Sequence, residues 1–120
     1  MIPSLKIQSD PVKNRLIMKI SGEIAVTEAK RFKRDLSVEL ARLKPGFTLL
    51  IDARDFKPIT NNTQRVIEGI MEAIVSAKPS KVARIVSSGP GIKMGKVSRK
   101  AGYLSAAFET EMEAERFLDQ

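Results

Sequence analysis

Two short apolar runs separated by a helical pattern constrain this chain most strongly. The runs cover residues 47–51 and 82–86, and each has the composition of a strand buried on both faces of a sheet. Between them, over residues 62–77, apolar pairs recur every four residues opposite acidic side chains, which predicts an amphipathic helix that ends before Pro79. Since a strand-helix-strand unit folds as a right-handed crossover, we expect the two runs to be neighbouring strands of one sheet.

The remaining patterns predict further strands and helices around this unit. Residues 5–8 and 15–20 read as a hairpin, and residues 27–44 as an amphipathic helix that Thr27 caps and Pro45-Gly46 ends. A weaker, basic helix is predicted over 92–102, a short strand over 106–109 and a terminal helix from Thr110, with Glu113 completing a capping box. The predicted order is β-β-α-β-α-β-α-β-α, an α/β fold with a mixed, mostly parallel sheet and about four helices in a single domain, residues 1–120.

Composition restricts the chemistry that is open to the chain. With neither cysteine nor histidine, a metal site would rest on carboxylates alone, and histidine-dependent nucleophile arrangements are excluded. The candidate carboxylate cluster is Glu23, Asp52 and Asp55, and a carboxylate after a strand more often caps a loop than catalyses. We therefore expect a protein that is not an enzyme and that needs no metal and no cofactor.

Charge and hydropathy bear on location and partners. No apolar run approaches the ~20 residues that span a bilayer, which predicts a cytoplasmic protein without a membrane span. The net charge of +7 favours anionic partners, but five Phe, one Tyr and no Trp supply few surfaces on which bases could stack. Any binding to nucleic acid is therefore predicted to be weak and mainly electrostatic.

A polar tetrad at the predicted start of the second helix is the first candidate site. It consists of Thr60, Asn61, Asn62 and Thr63. Each of these side chains can accept a capping hydrogen bond, and free N–H groups at a helix start attract carboxylates or phosphates. Ordinary capping explains one or two of the four residues. A partner-binding surface is the alternative interpretation.

A basic stretch near the C-terminal third is the second candidate. A loop after the strand at 82–86 is followed by cations at three- and four-residue spacing, which on a helix would share one face. The candidate anion-binding residues are Ser87, Ser88, Gly89, Gly91, Lys93, Lys96, Arg99 and Lys100. The glycine-rich phosphate-loop pattern fails here, so a plain connecting loop and a solvated basic face remain the competing interpretations.

Two short segments stand out within this order of elements: Ser21-Gly22-Glu23-Ile24 after the second strand and Leu49-Leu50-Ile51-Asp52 in the third. Together with the order of elements, they resemble the STAS (SpoIIAA-like) domain of bacterial anti-sigma factor antagonists. The resemblance covers nearly the whole chain and implies a non-enzymatic regulatory module that docks a protein partner. Binding of a nucleotide or nucleic acid through the basic segment is the alternative.

The same resemblance bears on phosphorylation. The family carries an Asp-Ser-Ser-Gly motif at the start of the second helix, and a partner kinase phosphorylates its serine. That motif is absent here, and counting from Asp52 places Thr60 at the family's Asp and Asn61 at its serine. The resemblance therefore implies phosphorylation only at Thr60 or Thr63.

Overall fold

Every strand in the described part of the chain belongs to one six-stranded sheet, and three helices pack on it. The computed structural model describes residues 4–58, 60–87, 93–100 and 102–120. In chain order the elements are β1 (Ser4–Asp10), β2 (Arg15–Ile24), α1 (Val26–Leu40), β3 (Thr48–Pro58), α2 (Asn61–Ser76), β4 (Lys81–Ile85), β5 (Ser98–Arg99), β6 (Leu104–Phe108) and α3 (Glu111–Asp119). The strand order in the sheet is β1-β2-β3-β4-β6-β5, in which only the edge pairs β1–β2 and β5–β6 are antiparallel. The predicted α/β class with a mixed, mostly parallel sheet is confirmed.

The centre of the sheet is built as the two apolar runs predict. β3 and β4 are parallel neighbours whose register pairs Leu49 with Val82 and Leu50 with Ala83. β3 is longer than predicted, because it continues past Asp52 and pairs with β2 as far as Pro58. This extension brings the chain to the start of α2, where the polar tetrad lies.

The two faces of the sheet bury separate apolar clusters, since successive strand residues point to opposite sides. On one face α1 and α2 pack against β2, β3 and β4, and the predicted core residues of the helices are at most 2 % exposed: Phe32, Leu36, Ile70 and Ile74. On the other face α3 buries Phe117 and Leu118 against Leu50 and Ala83. The predicted core is confirmed on the first face, and α3 alone closes the second among the described elements.

The prediction of a basic helix over 92–102 is wrong for the residues that the structure describes. Residues 94–95 form a turn, and Ser98–Arg99 is a strand that pairs antiparallel with β6. Gly95 has φ +72° and Gly102 has φ +88°, and neither value is compatible with a right-handed helix. Hydrogen bonding to the edge of β6 replaces the helix, so the described residues contain three helices rather than the predicted four.

The capping of one helix also differs from prediction. Ala25 precedes α1, and its N–H donates to the Glu28 carboxylate at 3.3 Å, so Thr27 lies inside the first turn and is not the cap. Thr110 does cap α3, accepting a hydrogen bond from the N–H of Glu113 at 3.2 Å as predicted. The apolar side chain of Met112, in the first turn of α3, is 65 % exposed.

Candidate interaction sites

The start of α2 is fixed by one side chain of the polar tetrad. Thr60 has extended backbone angles, and its hydroxyl oxygen accepts a hydrogen bond from the N–H of Thr63 at 3.2 Å. Thr60 is therefore the N-cap, which satisfies one of the donors that a helix start leaves free.

The other three members of the tetrad divide between the interior and the surface. Thr63 is fully buried, with its hydroxyl 3.3 Å from that of Thr60. Asn61 and Asn62 are exposed, and neither side chain bonds to another described residue. Thr63 thus serves the fold, and the accessible members of the tetrad are Thr60, Asn61 and Asn62.

The candidate carboxylates are not assembled into a cluster. Asp52 accepts two hydrogen bonds from the Arg54 guanidinium, at 3.0 and 2.8 Å, and a third from the Arg54 backbone N–H at 3.3 Å. Burial raises the pKa of Asp52, but these bonds and the positive charge outweigh it, so the pKa lies below its ordinary value. Within the described residues, no three acidic side chains lie together in a way that could hold a metal ion.

A cavity of about 410 Å³ gathers most of the predicted basic residues. We call it the basic pocket and define it by its polar side chains: Arg84, Lys93, Lys96, Ser98, Lys100 and Ser105. Ala106, Ala107 and Val86 complete the walls. Every Asp and Glu of the chain lies in the described ranges, and none lines this pocket or forms an ion pair with one of its four cations.

Alternation beside β6 explains which of residues 96–100 reach the basic pocket. Because Ser98 pairs with Ser105 in the extended segment beside β6, alternate residues point the same way. Lys96, Ser98 and Lys100 accordingly line the pocket, whereas the odd-numbered Val97 and Arg99 do not. The expectation that Arg99 shares a face with these lysines is therefore wrong, since it assumed a helical period.

Four predicted anion-binding residues remain, of which the structure describes one. Ser87 is exposed and does not line the cavity. Ser88, Gly89 and Gly91 lie outside the described residues. The pocket contains instead Arg84, Ser98 and Ser105, which sequence reasoning missed. Arg84 carries a signal that was available, because it interrupts the otherwise apolar run 82–86 with a charge that must emerge on one face of the sheet.

Comparison with known proteins identifies the fold. Neither the protein-family models nor the curated proteins give a match. The strand order and helix placement define a mixed α/β domain, and among solved structures this arrangement is the SpoIIAA-like fold. A protein of the DUF3478 family from Shewanella loihica PV-4, with a SpoIIAA-like fold, matches at TM-score 0.67 and 15 % identity over 97 % of this chain and 93 % of that one. The Bacillus cell fate determinant SpoIIAA in its phosphorylated form matches at TM-score 0.54 and 10 % identity over 96 % of this chain and 99 % of that one.

In the described part of the chain, no helix is long and apolar enough to cross a membrane.

Proposed function

We propose that this chain is a non-enzymatic regulatory domain of the STAS type that docks a protein partner at the start of α2. One observation carries the proposal: three exposed polar residues follow β3 at this corner, and only Thr60 is used by the helix cap. The amides of Asn61 and Asn62 are open to a partner, since they bond to no other described residue. Each amide offers both donors and an acceptor, which suits recognition of a peptide backbone.

The fold supports a regulatory role. SpoIIAA of Bacillus, which shares the fold, is a cell fate determinant and was solved in its phosphorylated form. In this chain Thr60 is exposed and Thr63 is buried, so a kinase would reach only the former. We place any phosphorylation on Thr60. A phosphate there would lie against the N-terminus of α2, where negative charge is stabilised by the helix dipole.

The absence of catalysis is supported by the chemistry of the side chains. The chain has no histidine or cysteine, and the best-placed carboxylate, Asp52, is engaged by Arg54 in the pair described above. A general base needs a lone pair directed at substrate, and an ion-paired carboxylate of lowered pKa is a poor base near neutral pH. The side chains of this chain therefore suit the binding of a partner better than catalysis.

Capture of partners from a nuclease-treated lysate tests the proposal with a matched pair of variants. Asn62→Glu places a negative charge at the second residue of α2, and Met112→Glu does the same at the second residue of α3, which packs on the opposite face. Both positions are exposed, and both helices are capped by threonine. We expect Asn62→Glu to change capture of a discrete protein and Met112→Glu to leave it unchanged. Equal capture by both variants and the parent would overturn the docking site.

A further inference from the structure

The basic pocket differs from the two grooves beside α1, whose linings mix cations and anions, in being lined by cations alone among its charged residues. The groove between β1 and α1 is lined by Glu28, Arg31 and Asp35, so its cation lies between two anions. Four cations converge on the basic pocket without a lining carboxylate. Like charges around one concavity repel one another and produce a positive potential within it, which a bound anion relieves.

The walls of the pocket also supply neutral hydrogen-bond donors. Ser98 and Ser105 face each other across the β5–β6 pair, and Ser105 is only 5 % exposed. The side chains come from three segments: β4 provides Arg84, β6 provides Ser105, and the chain from 93 to 100 provides the rest. Backbone bonds fix that last segment against the sheet, with Gly95 N–H to Ala107 O at 2.8 Å and Lys100 N–H to Tyr103 O at 2.7 Å. The backbone that carries the three lysines is thus fixed to the sheet at both Gly95 and Lys100.

We infer that the basic pocket binds a compact small molecule carrying two or more phosphate groups. One phosphate bears about −1.5 to −2 charges near pH 7, so about two phosphates balance four cations. Arg84 contributes a planar guanidinium that binds a phosphate through two parallel hydrogen bonds, and the lysines act as point charges. A volume of about 410 Å³ lies at the lower end of small-ligand sites. This site is separate from the proposed docking surface at the start of α2 and does not depend on it.

The shape and lining of the pocket favour such a ligand over nucleic acid. A nucleic-acid strand is bound along an extended basic groove, with aromatic side chains on which its bases stack. The basic pocket is a single concavity, and none of the described residues that line it is aromatic. We therefore expect the phosphates of a small ligand to supply most of the binding energy. A single-stranded oligonucleotide serves as the competing ligand in the test.

Isothermal titration with phosphate, pyrophosphate, tripolyphosphate and a single-stranded oligonucleotide tests the inference on the full chain at low salt. Affinity should rise from phosphate to tripolyphosphate and fall as salt is added. Lys96→Gln and Arg84→Gln should each weaken tripolyphosphate about tenfold, the loss of one charge-assisted contact. Arg99→Gln removes the same charge three residues from Lys96 but outside the pocket, so it is the matched control and should change affinity by less than about twofold.

Three results would overturn the inference. They are tripolyphosphate binding no tighter than phosphate, equal weakening by Arg99→Gln and Lys96→Gln, and tighter, Lys96-dependent binding of the oligonucleotide than of tripolyphosphate. Lys96, Arg84 and Arg99 are all exposed, so each variant should unfold at the temperature of the parent. These results concern the pocket only, and loss of partner capture by Asn62→Glu would be unaffected by any of them.

Discussion

Arg15 and Asp119 lie 104 positions apart in sequence, yet the Arg15 Nη2 donates to Asp119 Oδ1 at 2.6 Å. Arg15 opens β2 and is 3 % exposed, and its Nε also donates to Thr48 at 2.9 Å. The third nitrogen, Nη1, is buried without a partner among the described residues. The last turn of α3 thus provides the carboxylate that pairs with the buried guanidinium of Arg15, at the edge of the apolar cluster that α3 covers.

This pair predicts a defined pH dependence of stability. The hydrogen bond from Arg15 lowers the pKa of Asp119 despite partial desolvation, so the folded pKa lies below the unfolded one. The stabilisation is therefore complete above about pH 4, the ordinary Asp range, and is lost as pH falls through the lower folded pKa. Asp119→Asn should lower the free energy of unfolding near pH 7, and the difference from the parent should shrink below pH 4.

Urea denaturation at several pH values measures this difference. Asp35→Asn, the same substitution at an exposed position of α1, is the control and should change the free energy of unfolding little. A constant difference between the parent and Asp119→Asn from pH 7 to pH 2 would contradict the role assigned to the ion pair.

Leu50 tests the cluster under α3. It is 2 % exposed and lies on the sheet face opposite α1 and α2. Leu50→Ala should lower the free energy of unfolding by about 2 to 5 kcal/mol, because it removes buried methyl groups and leaves a cavity. Met112→Ala, at a 65 % exposed position of α3, should cost little. Equal effects of the two substitutions in urea denaturation would show that α3 does not close this face.

Gly95 distinguishes the observed turn from the helix that the sequence suggested. In a helix, Gly95→Ala would stabilise the protein by up to about 1 kcal/mol. At φ +72° the same change should destabilise it by about 1 kcal/mol through backbone strain alone, since an added Cβ would meet nothing within 4 Å. Gly69→Ala, inside α2, is the contrasting control and should stabilise, because its only close neighbours are the flexible end of Lys33. Stabilisation by both variants would contradict the turn.

The burial of Thr63 predicts that neighbouring positions of the tetrad respond oppositely to charge. Thr63→Glu forces a carboxylate into a fully buried site and should cost more than about 2 kcal/mol. Asn62→Glu adds the same charge at an exposed position in the first turn of α2, where the helix dipole favours it, and should be neutral or mildly stabilising. Thermal unfolding of the two variants measures the contrast, and equal melting temperatures would mean that Thr63 is accessible.

The sequence was informative where apolar residues mark a period. The runs at 47–51 and 82–86 and the pairs along α2 leave one arrangement that buries them, so the parallel centre and the helical core residues were predicted. The segment 93–100 holds few apolar residues, and the four-residue spacing of Lys96 and Lys100 fits both a helix and alternate strand positions. Pairing with β6 selects the strand there, and no local pattern reveals that pairing.

The candidate sites were also predictable only where a local sequence pattern marks them. The tetrad was found because turn and cap residues have local signatures, although burial of Thr63 depends on how α2 packs. The basic pocket was found only in part, since Arg84 joins it through the β4–β6 register. Contacts between distant segments, such as Arg15 with Asp119, have no local signature at all.

Site-specific photo-crosslinking tests the central claim, docking through the start of α2, most directly. A photoreactive amino acid is placed at Asn62 or, as the matched control, at Met112, the equivalent exposed position of α3. After irradiation in a nuclease-treated lysate, we expect one discrete protein adduct from position 62 and none from position 112. The Asn61→Glu substitution should reduce the yield of that adduct. No adduct from position 62, or the same adduct at equal yield from both positions, would contradict the account.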